Sequence, residues 1–550
     1  MECVILVRLL LLLAAVGAFA GVVGPQEAYA ETPPEPGAIE RTIPTQTRQN
    51  SVELTVALPL PEAGQRSADH KKFTLGAVNI DGATVFSQQE LSRYFEPYLA
   101  TEVDEGELSK MAQAITGRYR QTGYLLSYAM VPSQNVEAGM VRLSVVEARI
   151  DKVSVQGAGS AQGAIEAIAA PLVNGALLRN GALERAIGLI RDFPGVTITD
   201  IALMRSDIEG GRYTLKITLA PDRVRGFSYA DNRGTGSIGR SRAYNSISVS
   251  SLAVQGDELR VDLFAMPGGH SRYLYGQLLG TVPVGRHGLR LTISGSRGDQ
   301  YLRSNERFKG QSDNISAQLS YPFLRSRALT MIGKVSLTDW RSVGTQQGIR
   351  RLRDRLRVAR AGIEFSNEGK TRFQGELLLS RGLGFGAMTR FGDSLASRPD
   401  ASGRFTKAAA AFQVSRALDE RFTLRGTVLA QYSDRPLLSA EEFSLGGNRV
   451  GRAFDFNERT GDRGAGIGAE LSYRLGKANK RLGVELLGYV DGGVARDFKS
   501  SVSPGATHRL ASTGIGARFS LARTTIAVET GVPLAGGDRP RLFASIFRSF

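Results

Sequence analysis

The stretch Phe422-Thr-Leu-Arg-Gly-Thr-Val-Leu-Ala-Gln-Tyr432 alternates apolar or small residues with mostly polar ones. The stretches 258–263 and 289–294 repeat this alternation, and charged residues take several of the polar positions. A period of two over about ten residues is typical of strands that cross a membrane as a barrel, with apolar side chains outward and polar ones inward. We therefore predict a membrane β-barrel over residues 223–550.

The predicted barrel has room for many strands. At about 20 residues for each strand and its loop, residues 223–550 provide about 16 antiparallel strands, which is within the bacterial range. A soluble β-sandwich also alternates, but repeated charges on the polar face of long strands and the lack of a strong domain boundary favour the barrel. The last ten residues support it, because Leu542, Ile546 and Phe550 share one face that would meet lipid.

The first 30 residues are typical of a secretory signal peptide. An apolar run from Leu9 to Val23 precedes the cleavage motif Ala28-Tyr29-Ala30, and no basic stop-transfer flank follows. The alternative is an uncleaved anchor helix, because the apolar run approaches the roughly 20 residues that span a membrane. The only cysteine, Cys3, lies in this segment. A mature chain without thiols has no disulfide, thiolate metal ligand or catalytic cysteine.

Charge and composition exclude several functions. The net charge of +16 favours nucleic acid as a partner, but a signal peptide argues against it because it directs the chain out of the cytoplasm. We instead assign the basic residues to a pore lining or to contacts with anionic lipid headgroups. The four histidines lack metal-ligand spacing, and no nucleophile or phosphate-binding motif occurs in a suitable context. We therefore expect neither an enzyme nor a bound cofactor or metal.

Two similar units are predicted between the signal peptide and the barrel. Residues 31–71, rich in Pro, Thr, Gln and charge, form an N-terminal linker. The stretch Val78-Asn-Ile-Asp-Gly82 then recurs about 75 residues later as Val153-Ser-Val-Gln-Gly157, each an alternating strand that ends in a turn. We place the two units at residues 72–148 and 149–222.

Each unit is predicted to have the element order β-α-α-β-β. In the first unit, capping boxes at Ser87–Glu90 and Asp104–Glu107 start two helices. Apolar residues recur at helical spacing over 108–119, and strands follow at Tyr124–Val131 and Met140–Glu147. The second unit repeats this order, so both belong to the α+β class.

The first unit resembles a known domain. Its segment Gly123-Tyr-Leu-Leu-Ser-Tyr-Ala-Met-Val-Pro-Ser-Gln134, with Gly139-Met-Val-Arg-Leu-Ser-Val-Val-Glu-Ala-Arg-Ile150, is similar to the polypeptide-transport-associated (POTRA) domain of the hemolysin-activator type. That pattern usually has Gly after the Glu, where this chain has Ala148, a departure that affects only turn geometry. The resemblance implies two periplasmic POTRA domains ahead of the barrel, and a plug helix that would correspond to residues 37–49.

Two barrel motifs resemble those of a transporter family. The segment Phe443-Ser-Leu-Gly-Gly-Asn-Arg-Val-Gly-Arg-Ala-Phe-Asp455, followed by Gly461-Asp-Arg-Gly464, resembles the signature loop of two-partner secretion transporters of the hemolysin secretion/activation (ShlB/FhaC/HecB) family. Arg452 matches the signature arginine and Phe454 its aromatic residue, whereas alanine replaces the glycine between them. The stretch Tyr489-Val-Asp-Gly-Gly493 resembles the family's strand motif that contains an aspartate.

The resemblance implies a latch inside the barrel. In this family the signature loop folds back into the lumen, where its arginine pairs with the strand aspartate. The residues permit this, because Leu486 and Asp491 lie on opposite faces of one strand and the apolar face points to lipid. We expect a bidentate pair between Arg452 and Asp491, with Gly451 and Phe454 in the same latch. The alternative is that Arg452 is one of many loop arginines and Asp491 an ordinary lumen charge.

Protein secretion is the function that the resemblance implies. Family members receive an unfolded exoprotein in the periplasm and pass it through their own pore to the cell surface, so we expect a large secreted exoprotein as partner. Strand addition at a sheet edge suits such a cargo, because it uses backbone groups and demands no single sequence. Our candidate contact residues are Tyr124, Leu126, Tyr128 and Met130. The alternative is that these residues build the domain core.

The predicted barrel also implies membrane partners, and two other functions remain as alternatives. We expect the barrel to contact outer-membrane lipid and lipopolysaccharide, to bind no nucleic acid and to be monomeric. A barrel-assembly insertase of the same superfamily usually has more than two adaptor units. A passive porin or a polysaccharide export channel leaves the adaptor units unexplained. A neighbouring gene for a very large, repeat-rich secreted protein would separate these alternatives from a secretion transporter.

Overall fold

A computed structural model describes residues 72–136, 139–206, 211–303, 307–476, 482–500, 503–537 and 539–550. The predicted signal peptide (1–30), linker (31–71) and plug helix (37–49) lie outside the described residues. The described chain divides into two compact units, one that ends at Arg223 and one from Val224 to Phe550. Of the helices in these ranges, none combines the length and the apolar character needed to cross a bilayer.

The N-terminal unit begins with a small sheet covered by helices. Its elements are β1 Phe73–Thr74, β2 Ala77–Asp81, α1 Gln88–Ser92, a 3-10 turn at Glu96–Tyr98, β3 Glu102–Val103, α2 Glu105–Gln121, β4 Tyr128–Met130 and β5 Met140–Val146. The sheet order is β2-β5-β4, with β2 parallel and β4 antiparallel to β5, while β1 and β3 pair separately. The predicted β-α-α-β-β order is confirmed.

Both predicted capping boxes start helices in the structure. The Asp104 carboxylate accepts the N–H of Glu107 at 3.1 Å, and the Glu107 carboxylate accepts the N–H of Asp104 at 2.7 Å. These bonds satisfy two backbone donors that a helix start leaves without an intrahelical acceptor. The apolar face of α2 is buried from Leu108 to Tyr119, so the helical periodicity identified the core face.

The strand that we predicted over Tyr124–Val131 is shorter in the structure, because only β4 pairs with β5. Gly123 takes a positive φ of 92° at the end of α2, which is the backbone conformation that terminates a helix and that glycine adopts without strain. The N–H of Tyr124 then donates to the Tyr119 carbonyl, and the N–H of Ser127 donates to the Tyr124 carbonyl. Residues 124–127 therefore form a turn that closes the helix.

A second β-α-α-β-β segment follows directly. Its elements are β6 Arg149–Gln156, a 3-10 turn at Gly159–Ala161, α3 Gln162–Ala169, a 3-10 turn at Ala170–Leu172, α4 Asn180–Arg191, β7 Gly195–Arg205 and β8 Arg212–Asp222. The sheet order is β6-β8-β7, the same arrangement as in the first segment. Its core consists of the inner sheet face and the apolar faces of α3 and α4, with Ile165, Ile190 and Leu215 fully buried.

The C-terminal unit is a barrel. Its strands are β9 Val224–Asp231, β10 Arg242–Ser250, β11 Glu258–Pro267, β12 Arg272–Val284, β13 Leu289–Leu302, β14 Phe308–Arg325, β15 Thr330–Gln346, β16 Ile349–Ser366, β17 Thr371–Gly382, β18 Thr406–Ala417, β19 Phe422–Ser433, the short β20 Phe443–Leu445 and β21 Arg459–Gly461, β22 Arg463–Leu475, β23 Leu482–Arg496, β24 Thr507–Leu521, β25 Thr524–Ala535 and β26 Arg541–Ser549. Within the described ranges, sixteen of them pair in sequence order and close as β26 meets β9. The predicted strand number is confirmed.

Strand parity follows the sequence alternation. The outward positions carry exposed apolar side chains such as Leu263, Val428 and Leu486, while Asp491 is buried on the inner side. In β26 the predicted lipid-facing residues Leu542, Ile546 and Phe550 are all exposed on one face. This is the distribution that a barrel in lipid requires.

The strand connections differ between the two ends of the barrel. Short turns join the strands at the end that holds the chain termini of the barrel. The opposite end carries four connections of ten residues or more, 232–241, 383–405, 434–462 and 497–506. The connection 434–462 contains most of the predicted signature loop.

Candidate functional site

Residues 434–462 form the lumen loop, which connects β19 to β22. A 3-10 turn at Ser439–Glu441 precedes a two-stranded ribbon in which β20 pairs antiparallel with β21. At the ribbon tip, Gly446 has a φ of 100°, and a Cβ built there would lie 2.1 Å from the Asp455 carbonyl oxygen. Only glycine fits this turn without displacing backbone.

The loop lies directly against the inner barrel wall. A Cβ built on Gly466 of β22 would lie 2.9 Å from Val450 of the loop, and one built on Gly531 of β25 would lie 2.7 Å from the Cα of Ala453. Contacts this short leave no room for a side chain on the wall. Glycine at these strand positions therefore lets the loop approach the wall closely.

Asp491 holds the loop through its backbone. Its carboxylate accepts the N–H of Gly451 at 2.7 Å and the N–H of Arg452 at 3.4 Å, and it also accepts the Ser512 hydroxyl at 2.5 Å. Backbone N–H groups that converge on an ionised acceptor make hydrogen bonds about twice as strong as neutral ones. The predicted inward position of Asp491 is correct, and its partners are peptide groups of the loop.

The side chain of Arg452 has other partners than we predicted. Its guanidinium donates to Glu470 of β22 at 2.8 Å and to Glu529 of β25 at 2.7 Å, and it stacks on the ring of Tyr489 at 3.7 Å from the centroid. The expected bidentate pair with Asp491 is therefore wrong. The reason is that the turn brings the peptide groups of the loop to Asp491, which sends the long side chain past this carboxylate to the next strands.

Arg452 belongs to a wider group of charges, the lumen network. It comprises four arginines and four carboxylates, namely Arg233, Arg425, Arg452, Arg518, Glu470, Glu485, Glu529 and Asp491. The formal charges cancel, which offsets much of the desolvation that buried ions suffer. All of these side chains reach into the interior of the barrel.

The wall carboxylates do not depend on Arg452 alone. Glu470 also accepts both terminal nitrogens of Arg518, at 2.7 and 2.8 Å, and one of Arg425 at 2.8 Å. Glu529 also accepts Arg233 at 2.8 Å. These partners belong to the barrel, so the carboxylates would keep compensating charges if the loop moved away.

A buried apolar cluster, formed by the loop and the barrel wall, supports the loop beside the lumen network. The predicted latch residue Phe454 is buried with Leu445, Val450 and Ala453 of the loop and Leu510 of β24. A polar cavity of about 330 Å³ lies next to it, lined by Asn448 and Arg449 of the loop tip and by members of the lumen network. The loop therefore fills part of the lumen and leaves a polar pocket beside it.

A second group of charges fixes the outer part of the loop. Arg398, from the connection 383–405, donates to Glu442 at 2.5 Å and to Asp462 at 2.8 Å. The fully buried Asp462 also accepts the N–H of Leu437 at 2.6 Å and of Phe498 at 2.8 Å. This carboxylate thus joins the connections 383–405, 434–462 and 497–506 at one point.

Most residues of the lumen network cannot be recognised from the sequence alone. Glu470, Arg518 and Glu529 lie on strands far apart in the chain, and none belongs to a quoted motif. The sequence shows only that these residues are polar and occupy inward strand positions. Many other barrel residues have the same two properties. Asp462 did lie within a quoted motif, but its role depends on which loops meet there.

The predicted cargo-contact residues divide into two groups. Tyr124 and Leu126 are buried, and Leu126 packs into the core of the second segment. The Arg179 side chain donates to the Tyr124 hydroxyl at 3.1 Å, and the N–H of Asn180 donates to the Gly123 carbonyl at 2.8 Å. These two predicted contact residues therefore join the two segments and are not available on the surface.

Tyr128 and Met130 remain accessible on β4, but the edge of this strand is occupied. Tyr128 is partly exposed and Met130 is 42 % exposed. The N–H of Ala129 donates to the Thr116 hydroxyl at 2.9 Å, on the side that faces away from β5. Strand addition at β4 would have to break this bond, so the predicted mode of cargo contact at this edge is disfavoured.

A closed sixteen-strand barrel with a loop in its lumen, preceded by two β-α-α-β-β segments, defines the class of POTRA-containing outer-membrane transporters. The family described as haemolysin secretion/activation protein ShlB/FhaC/HecB matches residues 214–519, and the ShlB-type POTRA domain matches residues 73–148. The chain belongs to the ShlB/FhaC/HecB family. It is therefore an outer-membrane transporter of the two-partner secretion type, with its POTRA domains in the periplasm.

Individual relatives agree with this assignment. The chain is 24 % identical to the heme/hemopexin transporter protein HuxB of Haemophilus influenzae over 84 % of each chain. It is 22 % identical to the outer membrane transporter CdiB of Dickeya dadantii, over 89 % of this chain and 88 % of that one.

Two solved structures share the fold. CdiB from Escherichia coli superposes with a TM-score of 0.71 at 19 % identity, over 94 % of this chain and 95 % of that one. CdiB from Acinetobacter baumannii superposes with a TM-score of 0.63 at 17 % identity, over 93 % of this chain and 95 % of that one.

Proposed function

We propose that this transporter recognises an unfolded exoprotein in the periplasm and secretes it through its own barrel, with the lumen loop as the gate. The observation that supports this most directly is the seat of the loop, which lies on a glycine-lined wall and is held by reversible polar contacts. The sequence-based limits 1–30, 31–71, 72–148, 149–222 and 223–550 are part of this proposal.

The lumen network suits a gate that opens and closes. Arg452 is the only residue of the loop among the network's charged side chains, and its carboxylate partners also bind wall arginines. Opening the gate would leave the wall with three arginines and four carboxylates, which water in the lumen can solvate. The latch residues Gly451, Arg452, Phe454 and Asp491 would therefore favour the closed state without making it permanent.

A disulfide across the latch tests whether the loop must move. A Cβ placed on Gly466 would lie 3.3 Å from the Cβ of Val450, close to the 3.5–4.5 Å usual for a disulfide. The only native cysteine is Cys3, so Val450→Cys with Gly466→Cys gives one engineered pair. We expect oxidation of this double variant to stop secretion of the exoprotein encoded beside the gene, and a reductant to restore it.

The two single-cysteine variants, Val450→Cys and Gly466→Cys, are the controls and should secrete equally under both conditions. Undiminished secretion by the oxidised double variant, with the disulfide verified by mass spectrometry, would show that the loop need not move. Barrel integrity is checked by the heat-dependent shift in gel mobility. A variant that fails this check under reducing conditions is replaced by the neighbouring pair on Ala453 and Gly531.

Cargo contact is assigned to the exposed residues of the N-terminal unit. Tyr128 and Met130 remain candidates, and the long edge strand β7 adds a second place. The N–H of Ser206 donates to the Arg212 carbonyl, so by strand alternation the peptide groups of Leu203 and Arg205 point away from β8. An extended cargo segment could pair with this edge and form a fourth strand.

The remaining partners are part of the same proposal. The outward apolar band of the barrel requires contact with outer-membrane lipid, including lipopolysaccharide in the outer leaflet. One chain closes the barrel by itself, so a monomer suffices for the pore. Nucleic acid is not expected as a partner of a surface transporter.

A further inference from the structure

The outer wall of the barrel carries a group of arginines that the transport mechanism does not use. On β15, the outward positions Val335 and Leu337 are exposed and apolar, and Asp339 and Arg341 follow at the next two outward positions. On β16, Arg355 and Arg357 lie on the same outward face as the exposed Ile363, because all three have odd numbers in one strand. The register pairs Asp339 with Arg357 and Arg341 with Arg355.

These four residues form one compact group, the outer arginine cluster. The Asp339 carboxylate receives Arg357 Nε at 2.7 Å, Arg341 Nε at 3.2 Å and Arg355 Nη2 at 3.7 Å. Three guanidiniums around one carboxylate leave a local charge of +2. One carboxylate cannot accept all the N–H donors of three guanidiniums, and the Arg355 Nε is buried without an acceptor among the described residues.

The neighbours of these arginines along β16 point into the barrel, which confirms that the arginines point outward. Leu356 and Val358 alternate with these arginines on β16 and are buried inside the barrel against Leu437 and Leu438 of the lumen loop. Arg360, at another inward position, pairs with Glu441 of the same loop. The strand therefore separates arginines that hold the loop from arginines that face the surroundings.

The position along the barrel identifies the environment of the cluster. The POTRA segments are periplasmic and lead directly into the start of β9, so the end with the long connections faces the cell surface. The cluster lies on that half, about 7–13 Å beyond Leu337 at roughly 3.3 Å per residue. An arginine on the lipid side is costly at the midplane but costs little near the interface. The outer-leaflet headgroups lie at this level.

We propose that Arg341, Arg355 and Arg357 bind a phosphate group of lipopolysaccharide in the outer leaflet. Guanidinium groups match phosphate in charge and in bidentate hydrogen-bond geometry. Asp339 holds the three side chains together before the lipid arrives, which reduces the ordering that binding requires. The inference depends on the outer-membrane location of the barrel and is independent of the identity of the cargo.

The test measures lipopolysaccharide that stays bound to the whole protein. The triple variant Arg341→Gln, Arg355→Gln, Arg357→Gln is purified from outer membranes in mild detergent, and bound lipid is quantified by native mass spectrometry. We expect bound lipopolysaccharide to fall roughly tenfold, because each lost bidentate contact removes a charge-assisted pair. Retention equal to that of the native protein would overturn the proposal.

A matched control removes the same charge at the other end of the barrel. Arg327, Arg416 and Arg421 are exposed at the periplasmic side, and their glutamine variants should retain lipopolysaccharide as the native protein does. An equal loss in both triple variants would show a general effect of charge and overturn the assigned site. Heat-dependent gel mobility and secretion confirm that each variant is folded and working, which keeps this test separate from that of the gate.

A second measurement identifies the recognised group. Lipid-stripped protein in nanodiscs is titrated with lipid A that carries its phosphates, with dephosphorylated lipid A and with phosphatidylglycerol. Strong binding of the first alone supports the proposal. Equal binding of dephosphorylated lipid A would assign recognition to the acyl chains, and equal binding of phosphatidylglycerol would show a general anionic-lipid site. Either result would overturn the specific assignment.

Discussion

Arg452 contributes to the latch through both its side chain and its peptide N–H. The guanidinium is 11 % exposed and lies between Glu470 and Glu529 above the ring of Tyr489. The N–H points to Asp491. A substitution at this residue therefore tests the side-chain half of the latch while the backbone half stays in place.

Arg452→Ala should open the gate more often. Because Glu470 and Glu529 keep wall arginines as partners, the variant loses only the charge-assisted hydrogen bonds of Arg452, about 1.5–3 kcal/mol, which would shift the open-to-closed ratio roughly 10- to 100-fold toward open. Arg452→Lys keeps the charge but cannot contact both carboxylates in one plane, so its shift should be intermediate. Single-channel conductance in planar bilayers measures both variants.

Arg459→Ala is the matched control, because Arg459 belongs to the same loop, its guanidinium donates to the carbonyl of the neighbouring Glu458, and its side chain is 35 % exposed. It should conduct as the native protein does. If Arg452→Ala were as closed as this control, the side chain would not hold the gate.

Glu147 shows how one carboxylate organises the first POTRA domain. It accepts the N–H groups of Thr84 and Val85 at 2.7 and 3.0 Å and the Tyr119 hydroxyl at 2.8 Å. Burial by itself raises the pKa of Glu147, but the hydrogen bonds from Thr84, Tyr119 and Val85 outweigh it and leave the pKa below its usual value. Burial and the Glu147 bond raise the pKa of Tyr119.

Glu147→Gln should destabilise this domain at neutral pH by about 2 kcal/mol, because charge-assisted hydrogen bonds become neutral. Since the folded pKa is lowered, the stability due to ionised Glu147 is complete above the unfolded value of 4.5 and is lost as the pH falls through the folded value. The difference between native and variant protein should therefore shrink at pH 3. Hydrogen-exchange protection of α2 and β5 in the whole protein measures it.

Glu102→Gln serves as the control for this experiment, since Glu102 is exposed on β3. It should leave protection unchanged at both pH values. A Glu147→Gln effect that is the same at pH 7 and pH 3 would contradict the charged role of Glu147.

At the scale of elements, the inner wall is matched to the loop by the glycines of β22 and β25. Gly531→Ala would place a Cβ 2.7 Å from the Cα of Ala453, so the loop or the strand must shift. Overpacking of this kind costs about 1–3 kcal/mol, and we expect a higher open probability in conductance traces although no charge is lost.

Gly280→Ala is the matched control for the wall, because no heavy atom lies within 4 Å of a Cβ built at this position of β12. It should conduct as the native barrel does. A Gly531→Ala channel that is indistinguishable from it would mean that the loop has room to spare.

The edge strand β7 provides the second prediction at this scale. Met204 on β7 and Met140 on the central strand β5 are both exposed, at 50 % and 66 %. If cargo pairs with the β7 edge, a photo-crosslinking residue at position 204 should capture the exoprotein more efficiently than one at position 140. Equal capture would favour contact with the sheet faces instead.

At the scale of the whole molecule, the lumen network and the contacts of Asp462 connect strands β19 and β22 to β25 with the connections 383–405, 434–462 and 497–506. Such a barrel with its own gate should serve one cargo. Deleting the gene should therefore abolish surface release of the exoprotein encoded beside it and leave other outer-membrane proteins at normal levels, as quantified by proteomics of medium and membranes. A general fall in barrel proteins would instead indicate an insertase.

Local sequence patterns by themselves determine much of this protein. The period of two predicted the barrel and the inward position of Asp491, because side-chain direction in a strand depends only on residue parity. The length of the segment predicted the strand number. The capping boxes and helical spacing predicted the POTRA elements, because helix starts are set by neighbours along the chain. The resemblance of the loop motif predicted that Arg452 and Asp491 meet, but not which atoms of Arg452 contact Asp491.

Only the tertiary structure decided which charges meet and which surfaces are free. Glu470 and Glu529 reach Arg452 because barrel closure and the fold-back of the loop bring distant strands together, and no local pattern encodes that distance. Tyr124 and Leu126 looked like strand residues but are buried where the two POTRA segments join, since the turn after Gly123 ends the helix first. Local chemistry sets the direction of each side chain, and long-range packing selects its partner.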